Sequence, residues 1–90
     1  MKPIRILPHA IDNMRDRGVI GETIAATIRQ PDEVTWGRGT RRVFMRRYHD
    51  PVLRTEMLLR VVAEETPDEI VVVTRYKTSQ IRRYLKDTEP

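Results

Sequence analysis

Hydrophobic positions change their spacing partway along the chain. Up to Pro31 they recur at helical intervals, first Ala10, Ile11 and Met14, then Ile24, Ala25 and Ile28. The first set predicts a helix from Pro8 to about Arg17. Pro8 suits its first turn, where the missing N–H costs nothing, and Gly18 is its expected left-handed stop. The second set predicts a helix with Gly21 at the N-cap, Glu22 complementing the dipole in its first turn, and Pro31 at its end. Ahead of both, residues 1–7 set Ile4 and Leu7 among basic residues and read as a short lead-in or edge segment.

From Glu33 onward the spacing is that of strands. Glu33–Trp36 is followed by Gly37-Arg38-Gly39, a hairpin turn needing positive φ. In Arg41–Tyr48, alternation puts Val43 and Met45 on one face, with Arg42, Phe44, Arg46 and Tyr48 on the other. His49-Asp50-Pro51 reads as a turn, Thr55–Glu64 as a third strand, and Thr66-Pro67-Asp68 as the next turn. The fourth strand, Glu69–Tyr76, holds the densest β-branched run, Ile70 to Thr74, and is expected at the centre of the sheet, buried on both faces. Its end presents Thr74 and Tyr76 on one face and Arg75 on the other. Thr78 or Ser79 then caps a final short helix to about Lys86, attached through Ile81, Tyr84 and Leu85. The expected fold is α+β in one domain over residues 1–90. It has two N-terminal helices, a four-stranded antiparallel sheet over about 33–76 with helices on one face, and a short C-terminal helix.

Composition narrows the chemistry. The 90 residues are 39% hydrophobic and 33% charged, as in a small soluble domain. No cysteine is present, which removes disulfides, thiolate metal sites and a cysteine nucleophile. The N-terminus has no signal-peptide pattern and no stretch has membrane-span length, so the expected setting is cytoplasmic and away from membranes. The net charge of +4 is unevenly spread. Arg38, Arg41, Arg42, Arg46, Arg47, Arg54 and Arg60 crowd the hairpin region, and Arg75, Lys77, Arg82, Arg83 and Lys86 follow the fourth strand. Acids collect instead at Glu64, Glu65, Asp68 and Glu69. Such segregation favours a polyanionic partner through phosphate neutralisation and counterion release. Arginine-rich composition of the whole genome is the competing explanation.

His9-Ala10, Met14, Arg17-Gly18-Val19 and Pro31-Asp32, with Val72-Val73-Thr74-Arg75-Tyr76 near the end, resemble the domain-of-unknown-function family 4258 from about His9 to Tyr76. The sequence departs from that family at Gly21, where a Ser cap is usual, and in its long third strand. The family is similar in fold to the barnase–EndoU–colicin–RelE ribonucleases and toxins. The resemblance therefore implies a RelE-like fold and a basic sheet face that holds RNA for metal-independent cleavage.

Such cleavage needs a base for the ribose 2′-OH, an acid for the leaving 5′-oxygen and a cation for the phosphorane. His9 is the candidate base or acid, at a helix N-terminus that favours its neutral form. Arg42, Arg46 and Arg75 are the candidate phosphate clamps, with Arg46 counted in the catalytic set, and Tyr76 or Thr74 can supply a hydroxyl. Arg38, Arg41, Arg42, Arg46, Arg75 and Lys77 form the expected nucleic-acid surface, with Trp36 and Tyr48 available for stacking. Each has a plainer role as a cap, strand residue or solvated cation. His49 reads as a turn residue and Ser79 as a cap. No metal-ligand or phosphate-loop motif appears, so no metal or cofactor is expected. The expected function is a toxin-like endoribonuclease. Its competitors are a non-catalytic module for nucleic acid or an acidic antitoxin-like protein, and a homo-oligomer paired through the Glu33–Trp36 edge.

Overall fold

A computed structural model describes residues 2–10 and 17–85, and for His9 and residues 17–20 the backbone alone. The chain runs β1 (Ile4–Ile6), a 3-10 turn (Pro8–Ala10), α1 (Arg17–Arg29), β2 (Glu33–Trp36), β3 (Arg42–Asp50), β4 (Thr55–Glu65), β5 (Ile70–Thr78) and α2 (Ile81–Tyr84). The strands form one sheet in the order β1-β5-β4-β3-β2, with β1 parallel to β5 and every other pair antiparallel. This corrects the expected four-stranded antiparallel sheet behind two N-terminal helices. Residues 4–6 are a fifth strand, too short to announce itself, held when Ile70 N–H bonds Pro3 C=O and Leu7 N–H bonds Val72 C=O.

The middle strand is β4, not the β-branched run of β5. Leu58, Leu59 and Val61 on β4 are fully buried, whereas Val71 and Val73 on β5 are only half-buried. Apolar residues at successive β4 positions fill both faces of the sheet, which only a central strand can do. Each such residue stabilises the fold by about 1.5–3 kcal/mol relative to exposure.

One face is covered by α1 and the 3-10 turn, whose Ala10, Ile24 and Ile28 pack on Phe44, Leu59, Val61, Ala63, Ile70 and Val72. Ile24, Thr27 and Ile28 are the buried stripe at helical spacing, and Thr27 Oγ1 satisfies itself by donating to Thr23 C=O at 2.7 Å. The helix begins at Arg17, so Gly18 and Gly21 lie inside it rather than stopping one helix and capping the next. An interior glycine costs about 1 kcal/mol, which docking of this stripe outweighs. A helix over Pro8–Arg17 gives way at its start to the 3-10 turn, and its expected Ile11 and Met14 lie outside the described residues.

The other face is covered by α2, where Ile81, Tyr84 and Leu85 pack on Val43, Met45, Leu58 and Val62. The helices thus sandwich the sheet instead of sharing one side. Their separation depends on an irregularity in β5. Val62 pairs with Thr74 but Ala63 pairs with Val72, so Val73 has no opposite residue. The alternation slips by one at this bulge. Ile70 and Val72 face α1, as do Arg75 and Lys77 beyond the bulge, while Thr74, Tyr76 and Thr78 face the α2 side.

Strand β3 also runs through the expected His49-Asp50 turn and reverses over residues 51–54. Asp50 closes that turn by accepting from Val52 and Leu53 N–H, both at 2.9 Å.

Candidate nucleic-acid interface

The basic residues expected to bind a polyanion are largely engaged within the fold. Arg42, Arg46, Arg75 and Lys77 share the α1 face by register. Arg42 pairs with Glu65 at 3.0 Å, Arg46 donates to Gln30 C=O at the end of α1, Arg75 Nε donates to Ala10 C=O at 3.2 Å, and Lys77 reaches Asp50 at 3.3 Å. Lys2, then Arg42, holds the Glu65 carboxyl below its usual range, and Arg5 does the same for Glu69. Arg41 lies 3.7 Å from Glu64, and Arg38 sits exposed in the β2–β3 turn. These cations tie elements to one another.

The expected catalytic set is divided by the sheet. Arg46 lies on the α1 face and Thr74 and Tyr76 on the opposite face. His9 lies in the 3-10 turn that packs on β5, and its side chain is outside the described residues.

A different constellation stands on the α2 side. An open groove of about 570 Å³ runs between α2 and the ends of β3 and β4, lined by Arg47, Glu56, Ile81, Arg82 and Arg83 with Ser79 and Gln80. Local chemistry accounts for its shape. Thr78 Oγ1 accepts Gln80 N–H at 3.0 Å, turning the chain out of β5, and Leu85 then anchors the single helical turn in the core. Arg60 crosses beneath, its guanidinium stacked 4.1 Å from the Tyr84 ring centroid. Arg47 is steadied on the far wall, where its N–H donates to Asp32 Oδ2 at 2.8 Å and its Nε lies 3.8 Å from the same carboxylate.

Among the described residues, three guanidinium groups, from Arg47, Arg82 and Arg83, line one groove together with the Glu56 carboxylate. Guanidinium stays charged and offers paired donors matched to phosphate. On the same face Tyr76, 54% exposed, lies directly across the ladder from Arg60. At the groove's lip His49 lies opposite Glu56, two residues along β3 from Arg47. Cross-strand Cβ atoms in such pairs are about 5 Å apart.

Arg47, His49 and Glu56 were within reach of sequence reasoning, because residues 47 and 49 continue the face already marked by Val43 and Met45. Treating His49 as a turn residue hid it. The pairing with α2 had no sequence signal, since it depends on which side of the sheet the last helix docks.

No family model, curated protein or solved structure matches the chain. Among the described residues no cluster of histidine, aspartate and glutamate side chains is placed to hold a metal, and no helix is long and apolar enough to cross a membrane.

Proposed function

We propose that the α2 face binds single-stranded RNA, with the phosphates in the groove and a base stacked on Tyr76. The observation that carries this is the convergence of Arg47, Arg82 and Arg83 on one open groove, on the face of the sheet that also exposes the Tyr76 ring. Guanidinium groups tracking a backbone, next to a ring that takes any base, are what sequence-tolerant single-strand binding requires.

Fluorescence anisotropy with a labelled oligouridylate across a salt series tests it. Three phosphate contacts give a slope of log affinity on log salt near −2, at about 0.7 per contact for single strands. Arg82→Ala with Arg83→Ala reduces that slope to less than half, Tyr76→Ala weakens binding without changing it, and Arg46→Ala on the other face leaves binding intact. Binding that ignores the groove substitutions, or that goes to an acidic protein and not to RNA, overturns the reading.

A second reading, metal-independent RNA cleavage, is favoured by the placement of His49 and Glu56 beside those arginines. Glu56 removes the 2′-hydroxyl proton and the 2′-oxygen attacks phosphorus. The 5′-oxygen leaves with a proton from the His49 imidazolium, and Arg47 and Arg83 neutralise the phosphorane. The products are a 2′,3′-cyclic phosphate and a 5′-hydroxyl. Incubation in EDTA with Glu56→Gln and His49→Ala alongside decides it. Loss of cleavage with binding retained in both variants supports the pair. Binding without cleavage by the unsubstituted protein leaves a binding module.

A further inference from the structure

At the sheet edge formed by β2, the Trp36 side chain is 75% exposed. The hydrogen-bond alternation shows which backbone groups point away from the sheet. Gly37 N–H bonds Arg41 C=O at 2.8 Å in the same register that pairs Glu33 with Met45. Residues 33, 35 and 37 therefore turn their backbone groups toward β3, and Val34 and Trp36 turn theirs outward. An edge of this kind carries no proline or lysine to discourage pairing.

We infer that two copies of this chain pair antiparallel through β2 about a two-fold axis at Thr35. A centre at Thr35 sets these outward-facing groups opposite one another in two hydrogen-bonded pairs, Val34 against Trp36 of the second copy and the reverse, with both copies keeping the same face up. A centre at Val34 or Trp36 opposes fewer of them around the turn and Pro31. The chosen register makes each pair apolar, since Val34 and Trp36 share the α1 face. Across the axis Thr35 meets its own copy, a favourable cross-strand pair. At the ends, Glu33 of one copy comes opposite Gly37 of the other, next to its exposed Arg38, so unlike charges meet. That self-complementarity of hydrogen bonds, apolar pairs and charge is why the occupant is a second copy. The result is one continuous sheet with both α2 grooves on the same side.

Trp36 is the sole tryptophan, so its fluorescence reports directly on this edge. Sedimentation velocity and intrinsic emission are followed from micromolar to millimolar concentration in moderate salt. The expected result is a monomer–dimer equilibrium whose dimer fraction tracks a blue shift of the emission. Trp36→Lys is expected to be monomeric throughout, with its far-ultraviolet circular dichroism and melting temperature kept, because an exposed side chain has been exchanged. A monomeric mass for the unsubstituted protein at every concentration overturns the inference. So does a dimer whose emission stays constant, or one that survives Trp36→Lys, since each places the contact elsewhere.

Discussion

Replacing Asp50 by asparagine separates one buried charge from everything around it. Asp50 is 4% exposed, and besides the two turn N–H groups it accepts from Tyr48 Oη at 3.1 Å and Lys77 Nζ at 3.3 Å. The Leu53 N–H, reinforced by Val52, Tyr48 and Lys77, overcomes desolvation and lowers its pKa from the usual 3.8 to about 2. A carboxylate with a depressed folded-state pKa stabilises the fold above its unfolded pKa and loses that contribution as pH falls through the folded value. The gap between 3.8 and about 2 corresponds to about 2.4 kcal/mol, of which about 2 kcal/mol is gone by pH 2. Asparagine keeps an acceptor for the turn N–H groups, lets the Tyr48 hydroxyl rotate to accept, and offers Lys77 an N–H it cannot use. Asp50→Asn is therefore expected to lose about 2 kcal/mol at pH 7, and the two proteins are expected to converge as pH falls from 5 to 2. Urea denaturation by circular dichroism at several pH values in that window measures the difference, in which the other carboxylates cancel. A gap that stays constant with pH refutes the reasoning, because it assigns the loss to shape and not to charge.

Other perturbations test separate parts of the fold. Leu59→Ala removes a fully buried side chain at the centre of the sheet and is expected to cost about 2–5 kcal/mol in urea unfolding. Arg54 holds a φ of 57° in the β3–β4 turn, so Arg54→Gly is expected to raise the melting temperature through a gain of about 0.5–1 kcal/mol. Arg60 Nε is buried without a hydrogen-bond partner among the described residues. Arg60→Met, which keeps the stack under Tyr84 apolar, is expected to change stability by less than about 1 kcal/mol, whereas Arg60→Ala opens a cavity and is expected to destabilise measurably more.

Four of the five strands were legible in the sequence to within a residue or two, because alternation from Arg42 to Glu65 and turn residues such as Gly39, with φ of 66°, are local signals. What failed was non-local. Ile4–Ile6 is a strand only because β5 offers it a parallel edge, and three residues carry no period of their own. Arg17–Arg29 overrides two glycines because its stripe finds a core to dock on. The candidate site was misplaced for a related reason: arginine density located cations, but Arg42, Arg75 and Lys77 find acceptors in elements distant in sequence. Parity along β3 could have separated Arg46 from Arg47. It could not foretell where α2 would land.

The unpaired residue at Val73 works as a phase shifter within a single strand. Before it, β5 addresses its apolar side chains to one layer. After it, the same layer receives Arg75 and Lys77, and Tyr76 is delivered to the other. Deleting that one residue would leave Arg75 and Tyr76 on the faces they now hold, because Thr74 would then follow Val72 in simple alternation. Pairing the full-length strand without the bulge would instead send Tyr76 toward the 3-10 turn and Arg75 to the surface that now carries the groove. One unpaired position thus decides which of two surfaces receives Tyr76 and which receives Arg75, so it bears more of the protein's specificity than its own contacts suggest.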